Sequence, residues 1–599
     1  MTTFVKLKDK MTKENVARAI FAAFAAFSIL AVFAIVFFLL YKSFPAFRQI
    51  GFFNFLFGGT WSPTNPSLDV PDRFGILPMI AGSVVLTLTS VSLGGVLAIF
   101  TAVFIVYYCP KKIKPVFNQL VNLLAGIPSI VYGYFGLTFL MPLLVQLFHV
   151  PQAYGLVSST VILSIMLVPT IASITKNSLE SVPMNYYEGA LALGCTKNQT
   201  VFKVCLPAAK NGILAAMILG VGRAVGETMA VQFLVGSGDN YPGLFLPFRT
   251  MTSSIVLEMG YADEILHKPA LIAIGFILLL FILAINLCLA AVKRNNSISG
   301  NKLFNRKIRE SENAVSHYSW HKTGSLQDVL WILSCAVSLL VALSLLFIVF
   351  FVLIKGVSGL DFNFLFGKSG NAQVTLAPAF LSTGMVILLS LAISLPLGIG
   401  AAIFLSEYAK KGSRFVKTIN LFIDTLSGVP SVVFGLFGMV FFGNILHIGI
   451  NLLNGSLTLS LIVLPTIIRS TEQSLTEVPD SMREASYALG ASKVRTIFKV
   501  VLPQALSGMI TSVILSVGRI VSESAALIYT AGAVAYMPQS YLSRGATLSV
   551  MMWFFNSADG IENAPSKCFA TAAILIVLVL ILNILVTVVE KYFRKRSNK

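Results

Sequence analysis

Glu188-Gly-Ala-Leu-Ala-Leu-Gly194, followed by Val204-Cys-Leu-Pro207 and Gly222-Arg223-Ala-Val-Gly226-Glu227-Thr228, returns further along the chain. The second copy reads Glu484-Ala-Ser-Tyr-Ala-Leu-Gly490, Val500-Val-Leu-Pro503 and Gly518-Arg519-Ile-Val-Ser522-Glu523-Ser524. From Pro169/Pro465 to Glu227/Glu523 the offset is a constant 296 residues. Smaller echoes extend the match: Phe53-Asn-Phe-Leu-Phe-Gly58 recurs from Phe362 to Gly367, and Gly126-Ile-Pro-Ser129 recurs as Gly428-Val-Pro-Ser431. A repeat of this size in an apolar chain predicts two equivalent membrane halves.

Composition sets the class. Of 599 residues, 56% are hydrophobic and only 12% charged, against about 25% charged in ordinary soluble protein. Several apolar runs exceed the roughly 20 residues that span a bilayer. Twelve spans are expected. In the first half they lie near 16–41, 77–107, 116–147, 155–176, 212–235 and 269–291; in the second, near 328–354, 377–407, 417–447, 456–474, 508–531 and 569–590. The first run is too long for the apolar core of a signal peptide, so a retained span is expected. The formal charge of +19 does not mark a nucleic-acid binder. The basic residues sit in short segments between spans (Lys111, Lys112 and Lys114; Lys293 through Arg309; Lys410, Lys411, Arg414 and Lys417; Lys591 through Lys599). With both termini in the cytosol, all of these segments fall inside.

Six spans per half bring each repeat into the membrane the same way up. The expectation is an all-α integral membrane protein, with twelve transmembrane helices as two parallel six-helix repeats about an axis along the membrane normal. The domains expected are 1–291, a polar cytosolic linker 292–327, and 328–599. The six cysteines show no CxxC spacing, the five histidines are scattered, and no GxxxxGK[ST] occurs. No catalytic residue, metal site or nucleotide site of its own is expected.

The long inside loops 177–211 and 473–507 each carry a short helix-forming stretch, Tyr186–Leu193 and Ser481–Leu489, closed by Gly194 and Gly490. The plainer alternative is an interfacial helix that caps the bundle. Arg223 and Glu227, and likewise Arg519 and Glu523, are four apart and are expected on one helix face inside a span. Arginine at mid-bilayer costs about 2.5–3.5 kcal/mol on insertion scales, more than the roughly 0.2–0.5 kcal/mol an i,i+4 pair returns. Such pairs therefore face the bundle interior or a wet cavity. They are either packing bridges or an anion gate in which the planar Arg fork meets an oxyanion, with Thr228 and Ser524 as added hydroxyl donors. Gly/Pro breaks at matching places in spans three and nine point to a pathway, with Ser129 and Ser431 offering hydroxyls; a packing kink is the alternative. Asp424, whose counterpart is Asn122, has no assigned role.

The Glu-x-Ala-x3-Gly segment followed by Leu-Pro resembles the EAA loop of ABC importer permeases. That resemblance implies a type I ABC importer permease fold. It makes Glu188, Ala190 and Gly194, with Glu484, Ala485 and Gly490, parts of coupling helices that dock into ATPase subunits. Gly222-Arg-Ala-Val-Gly-Glu-Thr-Met-Ala-Val231 is similar to the PstC-type permease of phosphate-specific importers, and Gly518-Arg-Ile-Val-Ser-Glu-Ser-Ala-Ala-Leu527 to the PstA type. The match also takes in Gly126–Gly133 and Gly428–Gly435. Two departures stand out: the halves are fused, and Ser522 and Ser524 stand where the family shows Gly and Thr. The resemblance implies inorganic phosphate as cargo and an extracytoplasmic phosphate-binding protein. It also implies two ABC ATPase subunits on the cytosolic side, which consume ATP and Mg, with no cofactor on this chain. The setting is the lipid of a prokaryotic cytoplasmic (inner) membrane. The alternatives are another oxyanion or a secondary anion transporter; molybdate and sulfate permeases follow the Arg with Ala-Leu-Gly-Glu-Phe-Gly, and neither half has that Phe-Gly.

The orientation is directly testable. A cysteine introduced by Ser299→Cys in a cysteine-free background should stay unlabelled by an impermeant thiol reagent added outside intact cells. Labelling there would reverse the topology.

Overall fold

The computed structural model describes residues 2–65, 67–263, 265–288, 325–367, 374–410, 413–558 and 561–597. Every regular element in them is helical, apart from isolated bridges joining Trp61 to Phe74 and Asn240 to Phe248. Among the described residues ten helices are long and apolar enough to cross a membrane. Two more pairs, Lys197–Ala208 with Lys210–Gly226 and Val416–Gly428 with Ser431–Ile445, pass together as bent spans and bring the number to twelve. The expected linker 292–327 lies outside the described residues up to 324; its last three residues open the helix Ser325–Val357.

Spans three and nine are not straight. Proline disfavours helix at the residue before it, and Val429 is accordingly extended (φ −66°, ψ 130°). The chain turns by 100° between Val416–Gly428 and Ser431–Ile445. The apolar crossing in these repeats therefore starts at Ser129 and Ser431, and the helix Arg414–Gly428 runs off at an angle.

Each repeat's first span also packs across onto the other half. The helix Thr2–Ile50 packs on Ala377–Ile403 and Arg414–Gly428 of the second repeat. Its Phe38 meets Phe437 and Phe441, and Phe33 meets Phe422. In return Ser325–Val357 packs on Leu77–Val103, with Phe347 and Phe351 against Phe135 and Phe139 of the first repeat. Lipid tails are as apolar as these side chains, so shape and edge-to-face ring geometry, not water exclusion, hold these contacts.

Two short buried helices close the bundle at the end opposite the docking loops: Met251–Glu258 and Leu548–Ser557. Equivalent hydroxyls receive their first amides, Ser83 from Met251 and Thr383 from Leu548, both at 3.0 Å. The Tyr529 hydroxyl crosses between repeats to the carbonyls of Ile255 and Val256 at 3.2 and 2.8 Å. The first helix has an anchor that the second lacks. Buried Glu258 accepts from Trp61 Nε1 at 2.9 Å, contacts His267 Nε2 at 2.7 Å and pairs with Arg249, which also reaches Asp239 at 3.3 Å. Burial alone raises the Glu258 carboxyl pKa, but the His267 and Trp61 hydrogen bonds and the Arg249 charge outweigh it and hold the group below its ordinary value. At the position of Glu258 the second repeat has Phe555.

Glycine allows the closest approach. A Cβ on Gly133 falls 2.8 Å from Ala230 Cα, and one on Gly435 2.9 Å from Ala526 Cα. Gly133→Val and Gly435→Val should each cost about 1–3 kcal/mol by overpacking, read as a lower melting temperature of the solubilised protein; unchanged melting would refute this contact.

Candidate functional site

The expected spans 212–235 and 508–531 are interrupted where their charges lie. The first helix ends at Gly226, Glu227 is extended (φ −71°, ψ 131°), and a new helix runs Met229–Val235. The second ends at Ser522, Glu523 is extended (φ −81°, ψ 132°), and Ala525–Thr530 follows. Arg223 and Glu227 therefore do not share one helix face, nor do Arg519 and Glu523, and neither pair forms an ion pair among the described residues.

Glycine does not cause the break, because Ser522 accomplishes the same as Gly226. The glutamates cap instead. Glu227 Oε1 accepts the amide of Ala230 at 3.4 Å; Glu523 Oε1 accepts those of Ser524 and Ala526 at 3.2 and 3.4 Å. A carboxylate at a helix start answers freed N–H groups and favours the dipole there. The opposite side of each break is covered from the short buried helices. Thr252 donates to the Glu227 carbonyl at 3.0 Å and Ser549 to the Glu523 carbonyl at 2.5 Å.

With their glutamates engaged elsewhere, the arginines turn to hydroxyls. Arg223 donates to Thr170 Oγ1, and Arg519 Nη1 to Thr466 Oγ1 at 3.1 Å. These threonines went unread in the sequence, although the signal was present: both follow the prolines that open the repeat, Pro169 and Pro465. The equivalent charges of the two repeats come within electrostatic reach of each other, Arg223 of Arg519 and Glu227 of Glu523. Thr228 is buried and donates to the Gly226 carbonyl at 3.3 Å; Ser524 is likewise buried. Ser431 opens its helix close to the Glu523 carboxylate, and Ser129, half-buried, opens the matching helix in the first repeat.

The Gly-x-Pro-Ser breaks meet the charged breaks crosswise. Gly226 lies against Pro430, and Ser522 Oγ, which donates to the Gly518 carbonyl of its own helix at 2.7 Å, lies 3.4 Å from the Gly126 carbonyl. Two asparagines complete this ring. Asn286 Nδ2 sits over Gly428 and Asn583 Nδ2 over Gly126, each buried without a hydrogen-bond partner among the described residues. Sequence reasoning missed them because nothing local distinguishes an Asn in a last span. Asp424 now has a partner: it pairs with Arg469 at 2.6 Å, on the second repeat alone, where the first has Ser173.

The stretches expected to dock are helices Met184–Ala192 and Asp480–Ala488. Gly194 (φ +88°) and Gly490 (φ +79°) close them in the left-handed conformation that favours glycine. Glu188, Glu484 and Ala485 are exposed and Ala190 is buried. Leu193 and Leu489 stand 76% and 89% exposed beyond the bundle, apolar groups of the kind a partner covers. Each helix is pinned to the end of the second span of its repeat, by different chemistry. Tyr187 stacks on Tyr107 with ring centres 5.9 Å apart, whereas at the equivalent positions Arg483 pairs with Glu407 at 2.8 Å and donates to the carbonyls of Leu475 and Val478.

Residues 94–297 and 394–599 both match the family model described as "Binding-protein-dependent transport system inner membrane component". The two matches cover more than half of the chain, which therefore belongs to that family and carries its unit twice. A "Phosphate transport system permease protein PstA homolog" of Mycoplasma pneumoniae is 29% identical over 75% of this chain and 76% of its own length. The homolog of that name from Mycoplasma genitalium is 28% identical over 88% of this chain and 87% of its own. A "Phosphate transport system permease protein PstC" from Mesorhizobium japonicum is 35% identical over 39% of this chain and 76% of its own.

Glu407 is buried, so removing its charge should loosen one docking helix only. Glu407→Gln is expected to speed amide exchange across Asp480–Ala488 by about tenfold or more, from the 1.5–3 kcal/mol of a charged hydrogen bond, and to leave Met184–Ala192 unchanged. Equal acceleration of both helices would contradict independent anchoring.

Proposed function

We propose that this chain is the whole transmembrane pathway of an ATP-driven phosphate importer, with PstC-like residues 1–291 and PstA-like residues 328–599 joined by a cytosolic linker. The observation that carries the reading is that Arg223 and Arg519, equivalent positions of the two repeats, lie within electrostatic reach of each other. Each rests on a matching threonine, and the neighbouring glutamates serve as helix caps. Like charges within electrostatic reach of each other repel. An anion between them removes that repulsion. Phosphate, with its tetrahedral array of acceptors, matches two planar guanidinium forks, and the names of the relatives support phosphate over other oxyanions.

Energy enters through the docking helices. Two ATPase subunits on the cytosolic side, using ATP and Mg, cover Leu193 and Leu489 and grip the stretches around Glu188, Ala190 and Gly194 and around Glu484, Ala485 and Gly490. Closure of the ATPases moves both helices. Their anchors at Tyr107 and Glu407 pass that motion to the second spans. The Gly-x-Pro-Ser breaks, with Ser129 and Ser431, and the capped breaks at Glu227, Thr228, Glu523 and Ser524 are where the helices flex. An extracytoplasmic phosphate-binding protein delivers the ion to the end closed by Met251–Glu258 and Leu548–Ser557. The chain is a multi-pass protein of a prokaryotic cytoplasmic membrane, with both termini inside, and does not hydrolyse ATP. A secondary transporter has no use for paired docking helices.

Uptake of labelled phosphate, with membrane abundance measured in parallel, tests the reading. The double variant Arg223→Gln, Arg519→Gln is expected to lose at least about 90% of uptake at normal abundance. Arg→Lys recovers little, because an ammonium lacks the fork. Glu188→Lys and Gly490→Val should uncouple uptake from ATP hydrolysis. Full uptake by the double Gln variant leaves these arginines a packing role only.

A further inference from the structure

The two repeats differ at one corner of the face that carries the docking helices. In the first repeat the corner is filled. The Tyr108 hydroxyl bonds Asn198 Oδ1 at 2.8 Å, and Asn198 Nδ2 donates to Asp328 Oδ1 at 2.7 Å. Lys197 Nζ lies 5.0 Å from the Tyr108 ring centre, with Trp331 packed on the same ring. In the second repeat the matching residues are Tyr408, Lys493 and Val494. Lys493 Nζ again lies over the tyrosine ring, at 4.9 Å. Val494 has no amide to replace Asn198, and the Tyr408 hydroxyl is buried with no hydrogen-bond partner among the described residues. A buried hydroxyl left unmade costs about 1–3 kcal/mol, so the vacancy needs a reason.

Where the first repeat is filled, the second has a cleft of about 230 Å³ lined by Glu14, Asn15, Arg18, Tyr408 and Lys493. At about 30 Å³ per water, that is room for a small hydrated ion or a lipid headgroup. Glu14 and Arg18 stand one turn apart on the first span, yet they make no ion pair with each other among the described residues.

We propose that this cleft binds a protonated phosphate group, either inorganic phosphate or the phosphomonoester headgroup of a lipid, at a site separate from the Arg223/Arg519 pathway. Arg18 supplies a planar fork of donors and Lys493 a point charge. Tyr408 and Asn15 add neutral donors. Glu14 is the discriminating group. A carboxylate repels an oxyanion that has no proton, such as sulfate, but accepts a hydrogen bond from P–OH. The set of two cations, one hydroxyl and one carboxylate therefore selects phosphate over sulfate, and a monoester over a lipid diester. The cleft joins the chain's first span to the unit that carries the second docking helix: Tyr408 follows Glu407, the partner of Arg483, and Lys493 follows the helix-closing Gly490. An occupant thus bridges two parts that move relative to each other in transport.

The proposal stands on these residues and not on the cargo assigned above, and the test separates the two. The full chain carrying Arg223→Gln and Arg519→Gln, which lacks the pathway site, is placed in nanodiscs of phosphatidylcholine alone, and binding of labelled inorganic phosphate is measured by equilibrium dialysis. One phosphate per chain is expected, with sulfate competing at least about tenfold more weakly. Adding Arg18→Gln and Lys493→Gln should weaken binding at least about tenfold. Val494→Asn, which fills the corner as in the first repeat, should weaken it as well without removing a charge. In a parallel arm, native mass spectrometry of chains from nanodiscs doped with phosphatidic acid or phosphatidylglycerol reports lipid retention. Retention of phosphatidic acid that depends on Arg18 and Lys493 assigns the site to the lipid source. Sulfate binding as tightly as phosphate, or neither ligand responding to the Arg18 and Lys493 substitutions, overturns the proposal.

Discussion

Hydrocarbon offers no hydrogen bonds, so every amide and carbonyl that a membrane helix releases must find a partner within the protein. That requirement governs the centre of this molecule. Each fifth span opens between its arginine and the short helix that follows, and the freed groups are met from both sides. A glutamate carboxylate receives amides on one side, and a hydroxyl from a buried lid helix covers the glutamate's own carbonyl on the other. Because the glutamate is committed to the backbone, the arginine is left with a threonine, a neutral partner that does not cancel its charge. The capping demand thus leaves Arg223 and Arg519 hydrogen-bonded to hydroxyls rather than to carboxylates.

The rest of the architecture keeps those breaks in place. The crossing first spans clamp each repeat with phenylalanines from the other. The Gly-x-Pro-Ser breaks abut the charged breaks crosswise, Gly226 on Pro430 and Ser522 on Gly126. Each half's break is therefore packed against the other half.

Within that shared frame the repeats have separate chemistry. An aromatic stack in one is an ion pair in the other at the docking helices. The Glu258 network anchors one lid helix alone, and Arg469 holds Asp424 in one repeat alone. Two copies of one chain present the same residues twice; two halves of one chain are under no such constraint. The second repeat also carries the open cleft at Tyr408, where the first is filled by Asn198.

The sequence by itself determined the elements set by local composition and spacing. Apolar runs of bilayer length gave the spans, the constant offset gave the repeat, and a short helix closed by Gly194 or Gly490 gave the docking stretches, since each rests on neighbours along the chain. It also pointed to Arg223, Glu227, Arg519 and Glu523, because charge in an apolar run is visible without a structure. What these residues do was decided by tertiary contacts. A four-residue spacing suggested one helix face, but Thr252 and Ser549, lying 25 and 26 residues beyond the glutamates, stabilise a break there. The crossing of first spans, the threonine partners of the arginines and the asparagines over Gly126 and Gly428 are long-range packing outcomes. No periodicity encodes them, because the partners meet only once both repeats are assembled.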